Sequence, residues 1–196
     1  NMDWAEKHVE YVIRHCLEHC RNELETLERD IKKLESITLP FPRITYDDAV
    51  KILKNNNVDF EYGSDFGATD ETIISNQYQK PVMVHRWPAE SKAFYMKRDP
   101  KNLNLALGVD MIAPEGYGEI VGGGQREDDY EVLSNRIKEH NLPIEPFKWY
   151  LDLRKFGSVP HSGFGLGIER TVAWISGTKH IRETIPYPRT MYRLEP

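Results

Sequence analysis

Apolar side chains at Val9, Val12, Ile13, Cys16, Leu17, Cys20, Leu24, Leu27, Ile31 and Leu34 recur at steps of three and four, the spacing of one helix face. The pattern predicts one long helix over residues 3–35, ending towards LPFPR, where Pro40 and Pro42 bias the residues before them to extended backbone. Thr45, followed three residues later by Asp48, predicts a capped helix over 46–55, because a side-chain oxygen satisfies an amide at the helix start and acidic residues favour that end. Thr69 as cap, with Asp70 and Glu71 in the first turn, predicts another over 70–77. From Pro81 onward β-branched and aromatic residues alternate in VMVHRW, KAFYMKR, LNLALGVDMIA and YGEIVGGG, which read as sheet strands separated by Pro, Asp and Gly turns. Helices are expected at 129–140, with Asp128 and Glu131 at the start, and at 146–153. GFGLG is too glycine-rich to open a helix and reads as a strand. IERTVAWIS predicts a helix that ends at Gly177 and turns Val172, Ala173 and Ile175 to a core.

The 196 residues are 39% hydrophobic, 11% aromatic and 29% charged, enough to bury one sizeable core and to make one domain. A net charge of −5 argues against a protein that coats nucleic acid through bulk positive charge and leaves room for a local basic patch. Cys16 and Cys20 are too few for a disulfide framework, so the reducing cytoplasm is the expected compartment. No apolar run has the length of a membrane span, and NMDWAEKHVE lacks the basic and apolar blocks of a signal peptide. The first residue is Asn1 and a helix is expected almost at once, so an amino-terminal truncation is expected too.

His15, Glu18 and His19 match the H-x-x-E-H pattern of certain zinc peptidases, but Cys16 and Cys20 fall on the apolar stripe and no third ligand is obvious. An ordinary helix face is the expected reading. GFGLG lacks a dinucleotide-binding glycine where Ile168 stands, and no G-K-S or G-K-T follows a glycine loop.

Candidate chemistry concentrates in two stretches. In DMIAPEGYGEIVGGGQRE, Asp110 and Glu119 bracket a turn, Gly122, Gly123 and Gly124 leave the backbone bare, and Arg126 follows. Carboxylates on such a hairpin can hold Mg²⁺, and glycines let a flat ligand lie against the strand. Glu119 and Arg126 are seven residues apart, so strand alternation alone puts them on opposite faces; only a bulge or twist turns both into one pocket. The plain alternative is a glycine bulge flanked by solvated charges. In SVPHSGFGLGIERTVAWI, Gly163, Gly165 and Gly167 alternate and clear one face for a ring. Arg170 then projects from the strand–helix junction, where a guanidinium can fork to a phosphate. Tight helix–sheet packing with a surface Arg is the alternative there.

GFGLGIER resembles motif 3 of the class II aminoacyl-tRNA synthetases, a glycine strand and helix ending in an ATP-binding arginine. Together with WPAESKAFYMKRDP, VDMIAPEGYGEIVGGGQRE and WYLDLRKFGSVPHSGFGLGIERTVAWISGTKHIRETIPYPR, it resembles bacterial asparaginyl-tRNA synthetases in order and spacing. LERDIKKLE and ITLPFPRITYDDAVKIL are similar to the segment that follows motif 2, so essentially the whole chain is covered. The resemblance implies an α+β fold, an antiparallel sheet flanked by helices. Residues 1–196 would be the carboxy-terminal portion of the catalytic domain, with motif 3 at 163–170 and with motifs 1 and 2 and the anticodon-binding OB-fold outside this chain.

The same resemblance implies that asparagine and ATP form asparaginyl-adenylate with Mg²⁺, that tRNA(Asn) is then esterified, and that the full-length protein is a cytoplasmic homodimer. Carried over by position, Arg170 holds the ATP γ-phosphate, Glu119 binds Mg²⁺ and nucleotide, and Asp110 helps it with the metal. Arg126 and Gly122 contact the amino acid, while Gly165, Gly167, Ile168 and Glu169 lie along ATP. Glu119, Arg126 and Arg170 make the catalytic set; no covalent nucleophile is needed, so His161 and Ser162 are not a dyad. Position 124 is Gly where the family usually carries Ser, which is expected to remove a hydroxyl from the site floor. Without motifs 1 and 2, this chain alone is expected to show little or no ligase activity and to expose strand edges. Three rivals remain: an aspartate-activating synthetase, a tRNA-free relative that amidates aspartate through an adenylate, and a non-catalytic nucleotide-binding paralogue.

Overall fold

The computed structural model describes residues 1–195. Its helices are α1 (Met2–His19), α2 (Arg21–Thr26), α3 (Ile31–Glu35), α4 (Tyr46–Asn55), α5 (Ala68–Ser75), α6 (Tyr130–Glu139), α7 (Lys148–Lys155) and α8 (Ile168–Ser176). The strands are β1 (Arg43–Thr45), β2 (Val82–Pro88), β3 (Arg98–Asp99), β4 (Asn102–Ala113), β5 (Gly118–Gln125) and β6 (Ser162–Leu166). They form one sheet in the order β1-β2-β4-β5-β6, with β3 paired to β4. The fold is α+β. The sheet is mixed rather than purely antiparallel, because β1 pairs parallel to β2. Between those two strands the chain runs through α4 and α5, a crossover of the length that parallel neighbours need.

The stripe over residues 3–35 is broken into three helices. An unbroken helix of that length would run about 50 Å, whereas the eight residues of β5 span about 27 Å. The chain therefore folds back over the sheet. Cys20 leaves helical geometry, Glu28 adopts φ 56°, and the Arg29 amide donates to Leu24 O at 2.9 Å. Buried Arg29 is then held at 2.6 and 3.0 Å by the carboxylate of Glu115 in the β4–β5 turn. Leu27, on the predicted apolar face, is left exposed at the bend.

The predicted α4 has its expected ends: the Thr45 hydroxyl accepts the Asp48 amide at 3.2 Å, and the Asp48 carboxylate turns back to the Thr45 amide. Two other caps lie one or two residues from their predicted places. Gly67 caps α5, with the Asp70 carboxylate accepting its amide at 2.9 Å, so Thr69 sits inside the helix. Asp129 caps α6 by accepting the Val132 amide at 2.8 Å, while Asp128 pairs with Lys97. KAFYMKR is mostly turn, with only a Met96–Arg126 bridge and β3 in the ladder. Its aromatics, Phe94 and Tyr95, leave the sheet to pack on Leu133, Ile137 and Leu151 of α6 and α7. GFGLG and IERTVAWIS form β6 and α8 as predicted, and Gly177 ends α8 at φ 78°.

One sheet face packs on α1, α3 and α8 through Val9, Ile13, Leu34, Met111 and Trp174. The other packs on α4 and α5 through Tyr46, Leu53, Ile74, Trp87 and Ile112. Within α8 it is Trp174, together with Ala173 and Ile175, that is buried; Val172 is exposed. Among the described residues no helix is long and apolar enough to cross a membrane. Among the described residues β6 pairs only with β5, and the two backbones approach closely at Gly123: a Cβ there would lie 2.5 Å from Gly163 O and 2.7 Å from Phe164 Cα.

Urea denaturation should separate these two kinds of constraint. Thr45→Ala should cost about 1 kcal/mol, the usual value of a lost cap. Gly123→Ala should cost about 3 kcal/mol, because backbone rather than a flexible side chain must move.

Candidate active site

β5 carries one residue more than the stretch of β4 opposite it. Ile112 pairs with Glu119 and Met111 with Val121, so Ile120 is the extra residue. Such a bulge reverses the side-chain alternation beyond it. Ile120 and Val121 are accordingly both buried in the α1-side core, while Glu119 and Gly122 share the opposite face. A Cβ on Gly122 would lie 2.5 Å from Glu119 Oε1 and 3.7 Å from Asp110 Oδ1. Gly165 pairs with Gly122 across the β5–β6 ladder, and a Cβ on it would meet nothing within 4 Å. The two bare residues form an open shelf. Arg126, just beyond β5, reaches the same face, with Nη2 3.7 Å from where a Gly163 Cβ would stand. The bulge that the seven-residue spacing requires is present.

Carboxylates crowd one end of this shelf. Asp110 is 7% exposed and accepts from Lys92 Nζ at 2.6 Å; that ammonium also lies 3.6 Å from the Trp87 ring centroid. Burial pushes the Asp110 carboxyl up, and Lys92 opposes the shift. Burial, then the charge of Asp110, pushes Glu119 up to about 7. Glu71 of α5 is also raised by burial, and its carboxylate accepts the Glu119 amide at 3.2 Å. The nearby cations have other partners, Lys92 on Asp110 and Arg170 beside Glu71 at 3.6 Å. Among the described residues, Glu119 itself forms no salt bridge.

The strand–helix junction brings up Arg170. Gly167 precedes α8, and its amide donates to the bulge carbonyl, Ile120 O, at 2.9 Å. Arg170, in the first turn of α8 and about half exposed, donates from Nη1 to Glu119 O at 3.2 Å. Asp110, Glu119, Gly122, Arg126, Gly165 and Arg170 are thus gathered around one face, with Gly167 at its edge. Ile168 is not: its side chain lines an apolar groove with Val12, Cys16, Leu24, Leu27 and Val172 on the α1 side. Glu169 is exposed.

At position 124 a Cβ would lie 2.6 Å from Leu107 O and 2.8 Å from Met96 Sδ. The strands therefore close over the space a Ser side chain would need, rather than leaving a hole in the floor. Glu71 and Lys92 are site-facing residues that sequence reasoning missed. Lys92 lies in one of the blocks that carry the family resemblance, which was the available signal. Glu71 reads locally only as a first-turn acid, and its place beside Glu119 depends on α5 packing against β5. His15 and His19 have ring centroids 4.4 Å apart, and among the described residues no group of three His, Cys, Asp or Glu is placed to hold a metal ion. The His161 ring meets Val159 O at 2.8 Å and Arg154 at 3.5 Å.

Residues 1–191 match the family described as tRNA synthetases class II (D, K and N). The asparagine–tRNA ligase of Desulforamulus reducens is 59% identical over 196 residues, which are 100% of this chain and 46% of that protein. Asparaginyl-tRNA synthetase from Pyrococcus horikoshii, also solved complexed with asparaginyl-adenylate, matches with a TM-score of 0.96 at 48% identity, over 100% of this chain and 46% of the first of those structures. Aspartyl tRNA synthetase from Entamoeba histolytica matches with a TM-score of 0.87 at 28% identity, over 99% of this chain and 41% of its own. The chain spans about half the length of the curated relatives it matches. It belongs to the class II tRNA synthetases of the D, K and N family.

Proposed function

We propose that residues 1–196 form the carboxy-terminal portion of the catalytic domain of an asparagine–tRNA ligase, with motif 3 at 163–170 and with motifs 1 and 2 and the OB-fold outside these residues. The observation that carries this reading is the bulged face, where Arg126 and Arg170 flank a bare Gly122–Gly165 shelf with Glu119 at its end. The asparaginyl-adenylate complex of the P. horikoshii relative supports the choice of ligand. Asparagine attacks through a carboxylate oxygen, which bonds to the α-phosphorus of ATP as the bond to the bridging oxygen breaks and pyrophosphate leaves. A ribose hydroxyl of tRNA(Asn) then attacks the acyl carbon, the bond from that carbon to the phosphate oxygen breaks, and AMP leaves with release of the hydroxyl proton. Catalysis is positioning and charge neutralisation.

Each residue has a distinct task. Arg170 takes the γ-phosphate, already oriented by Glu119 O and Glu71. Arg126 and Gly122 receive the amino acid, and Gly165 and Gly167 lie beneath adenine. Ile168 and Glu169 line the nucleotide through backbone alone. Mg²⁺ fits the donor set: Glu119 is a crowded carboxylate without a basic partner, and this ion typically combines one or two carboxylates with phosphate oxygens. Glu119 would hold it, and Asp110, tied to Lys92, would act from beside. The ion supplies neutralisation of phosphate charge. A homodimer in the cytoplasm is the assembly and compartment proposed for the full-length protein. Aspartate is the rival amino acid, favoured by the match to an aspartyl enzyme and by the guanidinium of Arg126.

The longest natural form of the protein should catalyse asparagine-dependent ATP–pyrophosphate exchange. Arg170→Ala should lower it by about 100-fold to 1,000-fold, the usual loss when a charge-stabilising donor is removed. Exchange that follows aspartate instead would replace the amino acid, and no exchange with either would end the ligase reading. A second prediction concerns pH. Glu119 titrates near 7 when folded and near its ordinary 4.5 when unfolded, so the folded state holds an extra proton between those values. Its contribution to stability is full below pH 4.5 and is lost as pH rises through 7. Thermal melts without ligand should find Glu119→Gln close to the parent at pH 4 and above it at pH 8.

A further inference from the structure

Arg126 has no carboxylate to hold it: among the described residues it forms no salt bridge. Its guanidinium donates from Nη1 to Met96 Sδ at 3.3 Å and lies 5.1 Å from the Tyr95 ring centroid. Its placement therefore depends on the turn at 93–96, where the Met96 amide donates to Ala93 O and Tyr95 O accepts the Glu127 amide. That turn is fastened from behind by α6. Arg136 donates from Nη1 to Met96 O at 2.6 Å and pairs from Nη2 with Glu127 Oε2 at 2.9 Å. Arg136 and Glu127 are 6% and 3% exposed, so the pair is screened from water and neither group is available to a ligand. The remaining Glu127 oxygen accepts the Asp128 and Asp129 amides, which ties the same clamp to the start of α6.

We propose that Arg136 is a positioning residue for amino-acid binding: by joining Met96 O to Glu127, it sets the cradle that aims Arg126 at the shelf. The proposal rests on reading Arg126 as the amino-acid contact. Lysine at 136 keeps the charge, but its single ammonium cannot reproduce the forked guanidinium geometry. Asparagine-dependent exchange in the longest natural form should show Arg136→Lys raising KM for asparagine roughly tenfold to a hundredfold, the scale of a small misplacement, with KM for ATP unchanged. In an Arg126→Lys background, Arg136→Lys should add nothing, because the residue it acts through is already lost. Glu127→Gln, which keeps an oxygen for the Asp128 and Asp129 amides, should repeat the asparagine-specific effect if Arg136→Lys does not fold. Equal loss of asparagine and ATP affinity, additivity with Arg126→Lys, or unchanged asparagine KM would each overturn the proposal. Failure of the underlying reading looks different: Arg126→Lys alone would then leave asparagine KM unmoved.

Discussion

The site depends on one extra residue in a strand. With strict alternation along β5, Glu119 and Arg126 would face opposite sides of the sheet, one towards the shelf and the other into the α1-side core. Ile120 resets the parity, and because its side chain and that of Val121 both enter the same core, the bulge is secured by apolar burial on the side away from the chemistry. Its carbonyl also accepts the Gly167 amide. One irregularity therefore fixes two relations at once: which face the hairpin charges share, and where the helix bearing Arg170 begins.

Charge is arranged around that geometry in layers of differing burial. Asp110 and Lys92 are neutralised against each other and against the Trp87 face, deep in the sheet. Glu71 and Arg170 meet nearer to solvent. Glu119 lies between these pairs, matched by neither, and burial first, then the charge of Asp110, raises its carboxyl to about 7. Three carboxyl groups, Asp110, Glu119 and Glu71, thus meet at one end of the shelf, with Lys92 and Arg170 as the cations beside them.

The elements legible in the sequence were those governed by local rules. The Thr45–Asp48 cap, the β6 glycine strand and the Gly177 stop each depend on neighbours a few residues away, and each stands where spacing puts it. The long amino-terminal helix was misread because periodicity reports which face is apolar and not how far the sheet beneath extends. Phe94 and Tyr95 alternate like strand residues, yet their partners are on α6 and α7, more than thirty-five positions downstream. The site was half legible for the same reason. Glu119, Arg126 and Arg170 lie beside diagnostic glycines, whereas Glu71 and Lys92 reach it only through tertiary packing. Spacing alone puts Glu119 and Arg126 on opposite faces, and only the pairing register, with Ile120 as its extra residue, brings them to one.

The Gly122–Gly165 shelf has two parts with different freedom to change. Its floor is the paired main chain of Gly122 and Gly165, which has no side chain to exchange. On the proposed reading, discrimination among amino acids falls to side chains at the rim, such as Arg126, and to the packing that aims them. On that reading, substitutions at the rim would change the amino acid taken while the main-chain floor stayed as it is.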